Sequence, residues 1–260
     1  MTPLGVRINR EYNRLYKNVL RLFWQIQGKD MPRMYMFHSV VDTMEQVYSQ
    51  FAITKQSFEQ FVEYHINNGY CAMDAEALCK AIENPKDYKN HYCVSFDDIY
   101  DSVYTNAYPV LKKHNIPFVI FVTDELVGKV DPWSKMPMIT EEHLREMLTD
   151  PLCILASHGI EHKMFRDYTH EEAMKALVES KRILAEKYGR EVEIFAFPFG
   201  RRVEVSDDAI RCVKEAGYRY GFSALDGSLG QRWMSGRYFL PRVLVGEEYV
   251  SLILRRRINE

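Results

Sequence analysis

The chain has 260 residues, with 34 basic and 36 acidic side chains and a formal net charge of -2. That length supports one large α/β domain, or two small ones, with a substantial core. The near-neutral balance excludes the strong basic excess of a nucleic-acid footprint.

Five cysteines, Cys71, Cys79, Cys93, Cys153 and Cys212, are scattered without a C-x-x-C pair and read as reduced core residues. The N-terminal stretch shows no apolar h-region, and the longest apolar run, Ile116 to Val122, is too short to span a bilayer. A cytoplasmic address is the expectation that follows.

In chain order, residues 7 to 27 carry apolar side chains at i, i+3, i+4 spacing, from Tyr12 to Ile26, with a basic stripe from Arg7 to Arg21. We expect a helix that packs on the body of the protein, with residues 1–30 as its own unit. The alternative is weak association with an anionic membrane surface. Met34 to Phe37 is a short strand signal ending in His38, and Ser39 to Ala52 is loop-like. Thr54 caps a helix to Asn68, Tyr70 to Met73 is strand-like, and Asp74 caps a helix to about Glu83. Tyr92 to Phe96 is a buried strand that runs into Asp97 and Asp98.

Val103 to Asn115 reads as helical around Pro109, Pro117 to Val122 as a strand, and Trp133 to Met138 as an irregular connection. Thr140 opens a short helix, and Leu152 to Ser157 is a strand ending at His158. Thr169-His-Glu-Glu172 is a capping box for a long helix closed by Gly189. Glu193 to Phe197 is a strand followed by Pro198-Phe199-Gly200, and Ser206 caps a helix that stops at Gly217. Tyr218 to Ala224 and Tyr238 to Val245 complete the strand candidates. Strand and helix alternate without a linker or repeat, so residues 31–260 are expected to form one domain around a parallel sheet. The number of strand candidates favours a closed or nearly closed β/α barrel over an open doubly wound sheet.

In that arrangement His38, Asp97, Asp98, His158 and the Pro198-Phe199-Gly200 turn each follow the carboxyl end of a strand, where the ends of a parallel barrel converge. His158 and His162 have H-x-x-x-H spacing, which on a helical turn would place both imidazoles on one face. Two histidines and a carboxylate leave a fourth coordination position for water, the pattern of a catalytic zinc.

Three ordered motifs carry a resemblance to a known family. Ser95-Phe96-Asp97-Asp98, Ser157-His158-Gly-Ile-Glu-His162 and Phe195-Ala-Phe-Pro198-Phe199-Gly200 resemble the three motifs of the polysaccharide deacetylases that share the NodB homology domain, carbohydrate esterase family 4. The run Tyr108 to Val122 is similar to the segment that follows the first motif, and the resemblance spans about Met34 to Val245. It implies a distorted β/α barrel, with Asp98, His158 and His162 as ligands of one divalent ion. Zinc is expected, with Co2+, Ni2+ or Mn2+ as alternatives. It further implies Asp97 as the catalytic base and the Pro198-Phe199-Gly200 turn at the oxyanion and substrate groove, through the Phe199 backbone N–H.

The chain also departs from the pattern. Ile99 stands where glycine often follows the aspartate pair, Ala196 where the third motif has an arginine, and no histidine follows Val245. Met34-Tyr-Met-Phe-His38-Ser-Val resembles the permuted branch that includes poly-N-acetylglucosamine deacetylases, in which this histidine is the acid. Leu240-Pro241-Arg242-Val243 resembles the same branch, which implies Arg242 as a substitute for the missing arginine.

The expected function is metal-dependent removal of N-acetyl or O-acetyl groups from a glycan or sugar conjugate, with Asp97 as base and His38 as acid. Rival readings are an amidohydrolase on a small non-sugar amide, a non-catalytic glycan-binding descendant and a membrane-surface scaffold. Trp133 and Trp233, as groove walls, favour sugar; as core residues they decide nothing.

Overall fold

The structure is a computed structural model that describes residues 31–44, 51–231 and 236–258, with side chains to residue 255. The expected helix at 7–27 and Trp233 lie outside the described residues. Ten strands are described: β1 (Arg33–Phe37), β2 (Ser39–Val41), β3 (Ala52–Thr54), β4 (Cys71–Ala72), β5 (His91–Asp97), β6 (Phe118–Val122), β7 (Cys153–Ser157), β8 (Ile194–Ala196), β9 (Tyr220–Phe222) and β10 (Val243–Leu244). The main sheet runs β10-β1-β5-β6-β7-β8-β9, with β4 also paired to β5, and each of these pairs is parallel.

The two edges of this sheet meet. Leu240 bridges Phe222 in β9, and Val243 in β10 pairs with Tyr35 in β1. A single short segment therefore spans the gap between the edge strands, and the result is a distorted β/α barrel. Parallel strands need crossovers, and helices supply them: α1 (Lys55–Asn67), α2 (Ala75–Glu83), α3 (Tyr108–Lys113), α4 (Glu141–Thr149), α5 (His170–Tyr188) and α6 (Asp207–Glu215), with α7 (Glu247–Ile258) after β10.

The two-residue period of extended chain sorts the core into two clusters. Tyr92, Val94 and Phe96 of β5, with Phe118, Ile120 and Val122 of β6, belong to the larger cluster under the helices. Cys93 of β5, Val119 and Phe121 of β6 and Ala156 of β7 belong to the smaller cluster on the other face, inside the barrel. Leu78, Ala81 and Ile82 of α2 join the inner cluster, and Tyr220 reaches the same helix through a 2.9 Å bond to Glu83. Because Tyr220 opens β9, α2 plugs the amino-terminal end of the barrel. The carboxyl end is left for the polar residues.

Local signals act as expected where they are strong. Thr54, Asp74, Thr140, Thr169 and Ser206 each accept a backbone N–H as N-caps, and Gly189 closes α5 at φ 62°. Elsewhere the structure differs. Ser39–Val41 and Ala52–Thr54 pair as a small parallel sheet where a loop was expected, because β-branched Val40, Val41 and Ile53 bury there. The helix around Pro109 begins as a π-helical turn over Val103–Ala107, with the Tyr108 N–H bonded to Val103. Proline has no N–H to give and its ring crowds the preceding turn, which a wider turn relieves. The α7 helix had no counterpart among the expected elements. Cys93, Cys153 and Cys212 are buried as expected, whereas Cys71 is exposed and Cys79 is half-buried.

His65 of α1 is 1% exposed among the rings of Tyr35, Phe61, Tyr70 and Tyr92, and its Nδ1–H donates to the Phe61 carbonyl at 2.8 Å. Burial lowers its pKa to about 4, against an unfolded value of ~6.5. The unfolded chain therefore binds this proton first as pH falls. The contribution is fully present above pH ~6.5 and is lost between there and pH ~4, by up to about 3 kcal/mol. Chemical denaturation across that window should show a shallower loss of stability for His65→Phe than for the wild type; equal slopes would contradict the assignment.

Candidate active site

The inward face of β5 carries Cys93, Ser95 and Asp97 in alternation, so the strand's own period delivers the Asp97 carboxylate to the barrel interior at its carboxyl end. There it meets Arg242, 145 residues later in sequence, through paired bonds of 2.6 Å (Nη1 to Oδ1) and 2.7 Å (Nη2 to Oδ2). Arg242 is 1% exposed and Asp97 3%. The guanidinium also donates from Nε to the Ser223 carbonyl at 2.9 Å and lies 5.0 Å from the Phe121 ring centroid. Burial works to raise the Asp97 pKa, but the charge and hydrogen bonds of Arg242 outweigh it and hold it at about 2.

Asp98 should point to the opposite face of the strand, and it does not. Its φ is +64°, and the Ile99 N–H bonds back to the Asp97 carbonyl at 2.7 Å. This γ-turn swings the Asp98 carboxylate inward. Its Oδ1 lies 3.2 Å from His162 Nε2 and 3.6 Å from His158 Nε2.

His158 continues the inward row of β7, and its Nδ1–H donates to the Ala196 carbonyl of β8 at 2.8 Å. That bond fixes the tautomer and aims the Nε2 lone pair at Asp98. The expected helical turn between His158 and His162 is not formed. Gly159 takes φ 92°, and the Gly159 and Ile160 carbonyls accept the N–H groups of Asp124 and Glu125. A loop braced on the turn after β6 therefore brings the two imidazoles together, with ring centroids 5.4 Å apart.

These three side chains suit a divalent cation. Asp98, His158 and His162 each place a ligand atom within 4.8 Å of the others. The Asp98 Oδ1 and His162 Nδ1 atoms are buried without a hydrogen-bond partner among the described residues. A buried carboxylate oxygen that faces two imidazole nitrogens without a hydrogen bond is costly unless a cation balances it. A second cluster, His170, Asp208 and Cys212, lacks this property. His170 is about half exposed there, and its ring nitrogens already face Asp208 at 3.1 Å and Glu215 at 3.5 Å. It is a surface ion-pair group.

His38 follows β1 on the same rim, close enough to feel the charges of Asp97, Asp98, Arg242 and His162. Burial lowers its pKa, and the two aspartates oppose that. Its Nδ1 is also buried without a partner among the described residues. The Pro198-Phe199-Gly200 turn repeats the γ-turn at Asp98: Phe199 has φ 61°, and the Gly200 N–H bonds to the Pro198 carbonyl at 2.7 Å. A Cβ on Gly200 would sit 2.7 Å from the Ala224 nitrogen, so only glycine fits. The Phe199 ring packs 4.5 Å from His162. The ligand, base, acid, arginine and turn residues named from sequence thus reach one rim, whereas Trp233 lies outside the described residues. The reading of sequence missed the Ala196 carbonyl, a backbone group without a sequence signal, and Phe51, whose ring lies 4.9 Å from His38.

A parallel barrel with a carboxylate–imidazole cluster at its strand ends defines a class of α/β domain whose chemistry sits on one rim. Residues 84–221, more than half of the chain, match the family model "Polysaccharide deacetylase", and the chain belongs to that family. It is 27% identical over 176 residues to the poly-beta-1,6-N-acetyl-D-glucosamine N-deacetylase of Staphylococcus aureus strain MRSA252, covering 65% of this chain and 59% of that one. The chain therefore spans about three fifths of the length of these curated relatives. Two solved structures share the fold. IcaB from Ammonifex degensii has a TM-score of 0.74 at 24% identity, with 87% of this chain and 96% of that chain covered. The Streptococcus pyogenes deacetylase PplD has a TM-score of 0.69 at 20% identity, with 83% and 92% covered.

Two outcomes are expected. Metal analysis should give about one divalent ion per chain, lost in His158→Ala and retained in His170→Ala. Retention by the His158 variant would refute the ligand set. Arg242→Ala strands a buried carboxylate and should destabilise the fold by about 3–5 kcal/mol in denaturant titrations. In the wild type, the depressed Asp97 pKa contributes stability above pH ~4 that is lost as pH falls toward ~2. That acid-side loss should be absent from the variant.

Proposed function

We propose that this chain is a divalent-metal-dependent hydrolase that removes N-acetyl groups from a glycan, with residues 31–260 as its catalytic domain. The observation that carries the reading is the meeting, at one barrel rim, of the Asp97–Arg242 pair with Asp98, His158 and His162. Membership of the polysaccharide deacetylase family supports it. The substrate named for the S. aureus relative supports an N-acetylglucosamine polymer.

When bound by Asp98, His158 and His162, a divalent ion supplies Lewis acidity, polarising an acetamide carbonyl and acidifying a water; zinc fits the mixed imidazole and carboxylate donors. Asp97 takes the proton as the water oxygen attacks the carbonyl carbon. Arg242 keeps Asp97 ionised and fixes its orientation.

The Phe199 ring packs against His162, and the backbone N–H of Phe199 would stabilise the developing oxyanion. Collapse of the tetrahedral intermediate breaks the C–N bond, and His38 delivers a proton to the departing nitrogen. The products are acetate and a free amine. Burial lowers the His38 pKa while the nearby negative charge of Asp97 and Asp98 favours its charged form; the proton that Asp97 takes from the water makes good the one His38 delivers to the amine, so none is gained or lost over the cycle.

Acetate release from an N-acetylglucosamine oligomer by metal-loaded protein tests the activity, and Asp97→Asn should abolish it. His38→Ala should keep its metal while turnover of the amide falls by about two to four orders of magnitude. The loss should be smaller on p-nitrophenyl acetate, whose leaving group needs less protonation. Equal loss on both substrates, or loss of the metal, would remove His38 from the acid role.

A further inference from the structure

Residues 127–138 form a connection whose backbone is tightly organised although it lacks regular structure. Val130 and Pro137 pair across it, Met138 pairs with Tyr100, and the Asp131 N–H bonds to the Met136 carbonyl at 2.9 Å. At its centre the Asp131 side chain is 4% exposed. It accepts the Tyr100 hydroxyl at 3.1 Å, the Ser134 N–H at 2.8 Å, the Trp133 N–H at 3.3 Å and the Ser134 hydroxyl. Four donors converging on one buried carboxylate fix the backbone on either side of Trp133. The Trp133 indole is nonetheless 68% exposed. A fold that orders a loop this closely and leaves its largest apolar side chain in water forgoes the stabilisation that burying it would give.

The position of the indole gives the reason. Its centroid lies 5.9 Å from that of His162, one of the three residues of the candidate metal site, and Phe199 packs against the same imidazole at 4.5 Å with 38% of its surface exposed. The clasp is tied to the site as well: Tyr100 lies two residues beyond Asp98 and bonds to Asp131. An exposed ring beside a reactive centre, carried on a backbone held from beneath, is suited to a flat ligand with an apolar face. A pyranose ring has such a face, because its axial C–H groups present positive hydrogens to the negative face of an indole.

Resting on the reading under Proposed function, we propose that Trp133 is the stacking platform for a pyranose ring of an N-acetylated amino-sugar chain at the reacting acetamide. Asp131 is the positioning residue that keeps this platform in register with Asp98 and His162. The substrate recognised is therefore a sugar chain, and a small acyclic amide would gain nothing from the indole.

The test uses the full chain loaded with zinc and a β-1,6-linked N-acetylglucosamine oligomer, measuring binding by calorimetry and turnover by acetate release. In Trp133→Ala the Kd and KM should rise by about tenfold or more, with kcat changed far less and zinc content unaltered. Trp133→Phe should recover most of the affinity. Asp131→Asn should raise KM in the same direction with the indole still present.

Affinity and KM indifferent to Trp133, with acetate still released, would overturn the platform and leave the deacetylase reading in place. Absence of acetate release combined with Trp133-dependent binding would remove that reading and leave the platform. Failure of the wild type to bind the oligomer, or loss of zinc from Trp133→Ala, would overturn the platform.

Discussion

The buried pair between Asp97 and Arg242 is the constraint on which the rest of the rim depends. Each partner taken alone would be a desolvated charge costing several kcal/mol; together they exchange two short parallel bonds. A third guanidinium donor, Nε–H, goes to the Ser223 carbonyl, just past β9. One side chain thus joins the central strand, the last strand of the main series and the segment that bridges the sheet edges. A hydrophobic substitute could close the barrel equally well, but it would leave no oriented carboxylate at the rim. The pair serves the site as much as the fold.

Around this pair the backbone departs from what side chains prefer. Asp98, Ile99 and Phe199 all have φ near +60°, and Ile99 is β-branched and fully buried. Conformations of this kind cost of order 1–3 kcal/mol each and persist only where their surroundings hold them. Here the Ile139 N–H holds the Ile99 carbonyl at 2.9 Å, and the Ile99 side chain fills the outer core. The gain is directional. Two γ-turns at the ends of β5 and β8 turn Asp98 and Phe199 toward the same centre, which regular strand ends would not do.

Among the described residues, three of the buried side-chain atoms without a hydrogen-bond partner, on His38, Asp98 and His162, gather at this rim; the others are on Thr123 and Glu141. At the surface, Arg211 pairs with Asp208, and the His170 ring nitrogens face Asp208 and Glu215 in water. At the rim, buried atoms of His38, Asp98 and His162 lack hydrogen-bond partners among the described residues. Native proteins rarely leave buried polar atoms unpaired without a reason, and a site for a cation and a polar substrate is such a reason. No helix among the described residues is long and apolar enough to cross a membrane.

The sequence by itself determined whatever depends on neighbours in the chain. The caps at Thr54, Asp74, Thr140, Thr169 and Ser206, the close at Gly189 and the placing of Asp97 and His158 at the carboxyl ends of their strands are local physics and were legible. So was the count of strands that favoured a barrel. Only the tertiary structure decided how distant pieces met. It placed Arg242 on Asp97 across 145 residues, and Ala196 against His158 across 38. It seated His158 and His162 on a loop braced by β6 rather than on a helical turn, and it paired Ser39–Val41 with Ala52–Thr54. A helical pattern and a loop with left-handed glycine can place two histidines equally close, so spacing alone cannot distinguish them. The difference lies in backbone hydrogen bonds to a segment some 35 residues upstream, which sequence spacing does not encode.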